Sequence, residues 1–219
     1  VFTRLPLPWE VLLLAVFALV AVLVVRGVRG RRRFAAPAAV GAAELPRVET
    51  DMRVTGTIRR TFRDPAQGVW MIVAQVGPAA RFTFCATDYD AHREHYEGLI
   101  GKTADLALFG LSKLEEGGAD VIRHQIKDAD KLALGPTTVA LSPAGQFPND
   151  HAVIGRVVSS RPDAWDDLAL TVYRTQVANG PNLTLMLDLA VPQEDRFAPF
   201  APGTMVHGSA RLFGRLAEA

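Results

Sequence analysis

The chain has 219 residues, 49% hydrophobic and 21% charged, with 24 Lys and Arg against 23 Asp and Glu and a formal net charge of +1. A single cysteine excludes a fold stapled by intrachain disulfides, and the even balance excludes a chain built chiefly around nucleic acid, which demands a concentration of Lys and Arg against phosphate. Arginine outnumbers lysine 20 to 4, a bias of GC-rich genomes that carries no chemistry.

Residues 11–25 form an uncharged apolar run that ends in the cluster Arg26, Arg29, Arg31, Arg32 and Arg33. Extended outward to Leu7 and Val28, such a segment makes a helix of about 30 Å, enough to cross the hydrocarbon core, with Trp9 at one interface. A cleaved signal peptide would carry its charge before the run and small residues after it; here the charge follows, although Ala35, Ala36, Ala38 and Ala39 imitate a cleavage region. A buried core helix is a further alternative, but a helix apolar on all sides and ending in five arginines has no polar face to show to water. The expectation is a single-pass anchor (1–33) in a bacterial inner membrane, with the N-terminus outside and the arginines on the cytoplasmic side against anionic headgroups. Everything after Arg33 is then cytoplasmic.

Residues 34–51 are rich in Ala and Pro and read as a linker or extended arm. Without the anchor and its arginines, 18 basic and 22 acidic residues remain, so the rest of the chain is mildly acidic and nucleic acid is not an expected partner. Period-two alternation then predicts strands over 54–58, 69–76, 82–86, 104–109 and 121–126, with a short helix within 88–99 capped at Asp88 or Asp90.

The second half repeats this grammar at offsets of about 99 to 104 residues. Val153, Gly155 and Val157 echo Val54, Gly56 and Ile58; Leu183-Thr184-Leu185 echoes Phe82-Thr83-Phe84; Leu212-Phe213-Gly214 echoes Leu108-Phe109-Gly110; and Gly203 echoes Gly101. The expected organisation is mainly β: after the transmembrane helix, two tandem small β domains, 52–135 and 151–219, joined by a connector at 136–150. Five short strands per unit, a longer connection between the third and fourth, and a glycine in the first strand resemble an OB-fold, the five-stranded Greek-key barrel.

Apparent chemical motifs dissolve on inspection. Residues 98–103 end like a phosphate loop, but Tyr96 stands where the leading glycine is needed and the stretch enters a strand instead of a helix. His92 and Tyr96 in H-x-x-x-Y spacing, on a chain with an anchor and an OB-like unit, are similar to the haem chaperone family of cytochrome c maturation. That family's motif follows its barrel, however, and its domain works on the other side of the membrane. His92 and His95 with Glu94 and Glu97 read as a solvated helix face, since the remaining histidines are scattered singly. Glu115-Glu116 and Asp166-Asp167 read as turn residues, the serines lack a nucleophile-elbow context, and Cys85 reads as a small core residue. No catalytic, cofactor-binding or metal-binding residue is assigned.

Phe34 in the arm, and Phe197 and Phe200 within Arg196-Phe197-Ala198-Pro199-Phe200, are candidate contacts to a partner subunit, with packing on their own β unit as the alternative. The whole reads as a non-enzymatic accessory subunit that docks in a larger membrane complex. Its layout is similar to that of the reaction-centre H subunit, which implies a photosynthetic or respiratory host. The alternative is a membrane-tethered ligand- or peptide-binding regulatory module.

Overall fold

A computed structural model describes residues 45–77, 80–119, 137–180, 183–193 and 198–217. The apolar run 11–25, Trp9, the five clustered arginines, Phe34, Phe197 and the expected strand 121–126 lie outside them. Among the described residues no helix is long and apolar enough to cross a membrane.

The chain is mainly β. Alternation in β1 (Arg53–Arg63) turns Val54, Gly56 and Ile58 inward and Thr55 and Thr57 outward, whereas β2 (Trp70–Val76) and β3 (Ala80–Ala86) are buried on both faces over much of their length. The polar stretch after β3 makes the short helix α1 (Arg93–Gly98), which buries only Tyr96. Then follow β4 (Thr103–Glu116), the short β5 (Ala140–Pro143), β6 (Asp150–Trp165), β7 (Leu168–Gly180), β8 (Leu183–Pro192) and β9 (Met205–Leu216). All nine strands among the described residues belong to one sheet, ordered β1-β2-β3-β9-β4-β8-β7-β6-β5, with additional pairings β1–β4 and β9–β6.

Those additional pairings close two circuits. The first runs β1, β2, β3, β9, β4 and back to β1; the second runs β6, β7, β8, β4, β9 and back to β6. Each circuit contains four strands of one half and borrows the last strand of the other. The antiparallel β4–β9 ladder, centred near Gly110 and Leu212, is common to both. Between β4 and β6 the described chain carries the short strand β5, and the shared ladder joins the hydrogen bonding of the two circuits.

The repeat is visible bond by bond. Ile58 donates its N–H to Lys102 O (3.0 Å) and accepts from Gly101 N (2.8 Å); Val157 does the same with Thr204 O (2.9 Å) and Gly203 N (2.8 Å). Gly101 and Gly203 have φ of +82° and +91°, a conformation that other residues reach only with strain. Directly after Ile58 and after Val157 the ladder slips by one residue, so the first strand of each half is bulged at the same place and can bend around its circuit. The two Leu-Phe-Gly echoes lie two residues out of this equivalence: the register that matches Gly101 to Gly203 sets Leu108-Phe109-Gly110 against Ala210-Arg211-Leu212. A shift of two leaves every side chain on its own face, which is why alternation alone cannot detect it.

The inward faces form one core that includes Ile58, Ile72, Phe84, Leu106, Leu108, Tyr173, Leu187, Leu189 and Leu212, each at most 1% exposed. Burial of each such side chain is worth about 1.5–3 kcal/mol. A second, smaller cluster lies on the opposite face of the sheet, where Met71, Cys85, Phe109, Val172, Ala190 and Phe213 meet. Leu45 and Val48 of the arm pack into it, so the arm is part of the β unit from Leu45 onward.

An arginine-lined cleft as candidate functional site

The arm that buries Leu45 and Val48 continues across the outer face of β6–β8 before turning into β1. Beneath it is a cleft of about 620 Å³ whose wall carries Arg53, Arg161, Arg174 and Arg215 together with Asp51 and Asp188. Strand pairing explains the convergence: Arg174 on β7 lies directly opposite Asp188 on β8, and Ser159, just past the bulge of β6, lies opposite Arg174 on its other side.

Asp188 is 1% exposed, inside a strand that is otherwise apolar around it. A bare carboxylate there would cost several kcal/mol, so its partners are essential. Arg174 donates from Nε to Oδ1 (3.1 Å) and from Nη2 to Oδ2 (3.4 Å), and Thr50 of the arm donates its hydroxyl to Oδ2 (2.9 Å). Arg161 Nη2 lies 3.8 Å from the same carboxylate, while its Nη1 donates to Asp163 (2.8 Å). The arm is held by the same two arginines, since Arg174 also donates to Asp51 and Arg161 to the carbonyl of Glu49. The hydrogen bond and charge of Arg174 hold the Asp51 carboxyl below its ordinary value, and the hydrogen bond that Arg174 donates to Asp188 raises its own pKa further.

A second polar constellation sits under α1. Trp70, Tyr89 and Tyr96 stack in series, with centroids 4.3 and 5.1 Å apart, and Arg93 lies over Trp70. Tyr96 donates its hydroxyl to Asp88 (2.5 Å) and accepts from the Leu216 amide (3.0 Å), tying α1 to the end of β9. Burial and Asp88 raise the Tyr96 phenol well above its ordinary value, so it acts as a structural hydrogen-bonding group.

The H-x-x-x-Y pair does not converge on one pocket: Tyr96 is buried, whereas His92 is exposed and pairs with Asp88 (3.3 Å). Residues 98–103 close α1 and enter β4. Among the described residues no group of three or more His, Cys, Asp or Glu is placed to hold a metal ion. Cys85 is buried, with its thiol pushed up to about 12 by desolvation. Of the expected partner contacts, Phe200 is 8% exposed and rests against Tyr173, with centroids 5.2 Å apart and its amide donating to the Tyr173 hydroxyl (3.4 Å). That ring is packed into its own half of the sheet.

The cleft was not foreseen because its residues come from five separate strands and the arm, each looking like a solvated strand face. The one signal was Asp188, a carboxylate within the apolar run Leu185-Met186-Leu187-Asp188-Leu189-Ala190. A scan against protein-family models gives no match for this chain, and a search of curated proteins gives no significant match.

Proposed function

We propose that this chain is a single-pass membrane subunit without catalysis of its own, which braces a larger membrane complex through its helix and its β unit. We read the β unit as two OB-like barrels fused through β4 and β9. The order β1-β2-β3-β9-β4, with a parallel β3–β9 closure and a helix between β3 and β4, supports that reading, as does its counterpart in the second half.

The observation that carries the bracing role is the fixing of the arm. Leu45 and Val48 are packed into the second core, and residues 49–51 are bonded to Arg161, Arg174 and Asp188. Eleven residues separate Arg33 from Leu45, a reach of at most about 40 Å. In the proposed topology so short a connection in sequence suits a brace, which has to work at the membrane face. The layout of the reaction-centre H subunit is the analogy, and it makes a photosynthetic or respiratory assembly the proposed host.

The test is a native-gel comparison of membranes with and without this chain. A large complex that loses mass or falls apart in its absence supports bracing. An unchanged set of complexes would overturn it.

A further inference from the structure

Arg161 and Arg174 are committed to Asp188, Asp51 and Asp163. The other two arginines of the cleft are not. The Arg53 side chain makes a single long contact to Thr50 O (3.4 Å), and the Arg215 side chain makes no hydrogen bond or ion pair among the described residues. Both sit on the same face by register: Ala107 of β4 pairs with Arg53 of β1 on one side and with Arg215 of β9 on the other. Adjacent strands lie about 4.8 Å apart, so the two backbones are about 10 Å apart with only an alanine methyl between them. Long side chains rising from these positions can close on one anion over that low floor. The nearest acid along β4, Asp105, accepts the Thr55 hydroxyl (2.6 Å).

We infer that Arg53 and Arg215 form an anion site in this cleft for a phosphate ester, a molecule with one phosphate group and a neutral polar body. Two planar guanidinium forks without carboxylate partners match phosphate oxygens in geometry and charge. The volume of about 620 Å³ falls within the range of small-molecule sites and exceeds what a lone phosphate fills, so the ligand carries a body; Ser159 and Ser160, which also line the cleft, offer hydroxyls to it. The Glu49 carboxylate is the one lining acid group without an arginine partner among the described residues. Counted over the lining side chains alone, four arginines against Glu49, Asp51 and Asp188, the cleft carries a single net positive charge, which suits one phosphate group better than a polyanion. This site stands independently of the bracing role. The same chemistry is offered by a soluble phosphate ester and by a phospholipid headgroup.

The test uses the full chain, purified in a neutral detergent and also in nanodiscs. Probes are glycerol 3-phosphate in solution and phosphatidylglycerol in discs, with phosphatidylcholine discs as the reference. The variants are R53Q/R215Q at the site and R59Q/R63Q elsewhere on β1. All four side chains are exposed, so the fold is retained and is checked by circular dichroism. Saturable binding that weakens at least tenfold in R53Q/R215Q and is unchanged in R59Q/R63Q supports the site. Response to glycerol 3-phosphate marks a soluble ligand, and response only to phosphatidylglycerol marks a headgroup. Equal weakening in both variants, or no saturable binding of either probe, would overturn it.

Discussion

Gly56 and Gly155 stand at equivalent positions in the two halves, and a Cβ at either would meet three corresponding neighbours. At Gly56 these are Val76 Cγ2 (3.2 Å), Gln75 O (3.3 Å) and Ala74 Cβ (3.8 Å); at Gly155 they are Val177 Cγ1 (3.5 Å), Gln176 O (3.1 Å) and Thr175 Cγ2 (2.4 Å). The close approach of the first strand to the second is what each glycine permits, and it is tighter in the second half because threonine stands where the first half has alanine.

Gly155→Ala is therefore expected to cost about 1–3 kcal/mol in urea unfolding, and Gly56→Ala about 1 kcal/mol or less. Thr175→Ser removes the offending methyl while keeping the hydroxyl that donates to Tyr173 O (3.1 Å), so Gly155→Ala/Thr175→Ser recovers part of the loss. Equal costs at the two glycines would contradict the difference in packing.

Loss of the Asp188 carboxylate strands the arginines that hold the arm. Asp188→Ala is expected to destabilise the β unit by about 2–4 kcal/mol, below the full cost of breaking a buried pair because the Arg174 side chain is 28% exposed. It also frees residues 49–51, so trypsin should cut at Arg47 and Arg53 faster than in the wild type. Unchanged cleavage would mean that the apolar seat of Leu45 and Val48 holds the arm alone.

His151 is 1% exposed, and desolvation lowers its pKa below the ordinary 6.5. The unfolded chain then takes up this proton at a higher pH than the folded chain, so stability is full above about 6.5 and falls as pH drops through and below that value. Denaturant midpoints measured between pH 7.5 and 5 should decline, and His151→Gln should flatten the decline. A variant with the wild-type slope would place the pH sensitivity elsewhere.

Cys85 is buried with a thiol raised to about 12, so it should resist Ellman's reagent in the native state at pH 8 and react once the protein is unfolded in guanidinium. Stoichiometric labelling without unfolding would contradict its place in the second core.

What the sequence makes legible follows from period and punctuation. Gly56, Gly155, Gly101 and Gly203 announce a repeat because each marks a backbone requirement that recurs: a close strand approach or a positive φ. Alternation finds the strands and their inward faces, but it is blind to shifts of two, hence the misaligned Leu-Phe-Gly echoes. It also missed the better echo, Gln75-Val76 with Gln176-Val177, because two residues are too few to stand out. The exchange of β4 and β9 between the circuits is set by long-range pairing that no local pattern encodes. The cleft is hidden for the same reason: Arg53, Arg174, Asp188 and Arg215 come together only after β1, β9 and β8 have been laid against β4, and β7 against β8.

The most direct measurement is the molar ratio of this chain to every co-eluting chain after mild-detergent purification and size-exclusion chromatography, read by mass spectrometry together with an absorption spectrum. A brace should elute in a fixed integer ratio with the chains of one large membrane complex, and the spectrum would show whether that complex is pigmented. Elution alone, as a small detergent-bound monomer or dimer, would contradict the bracing role.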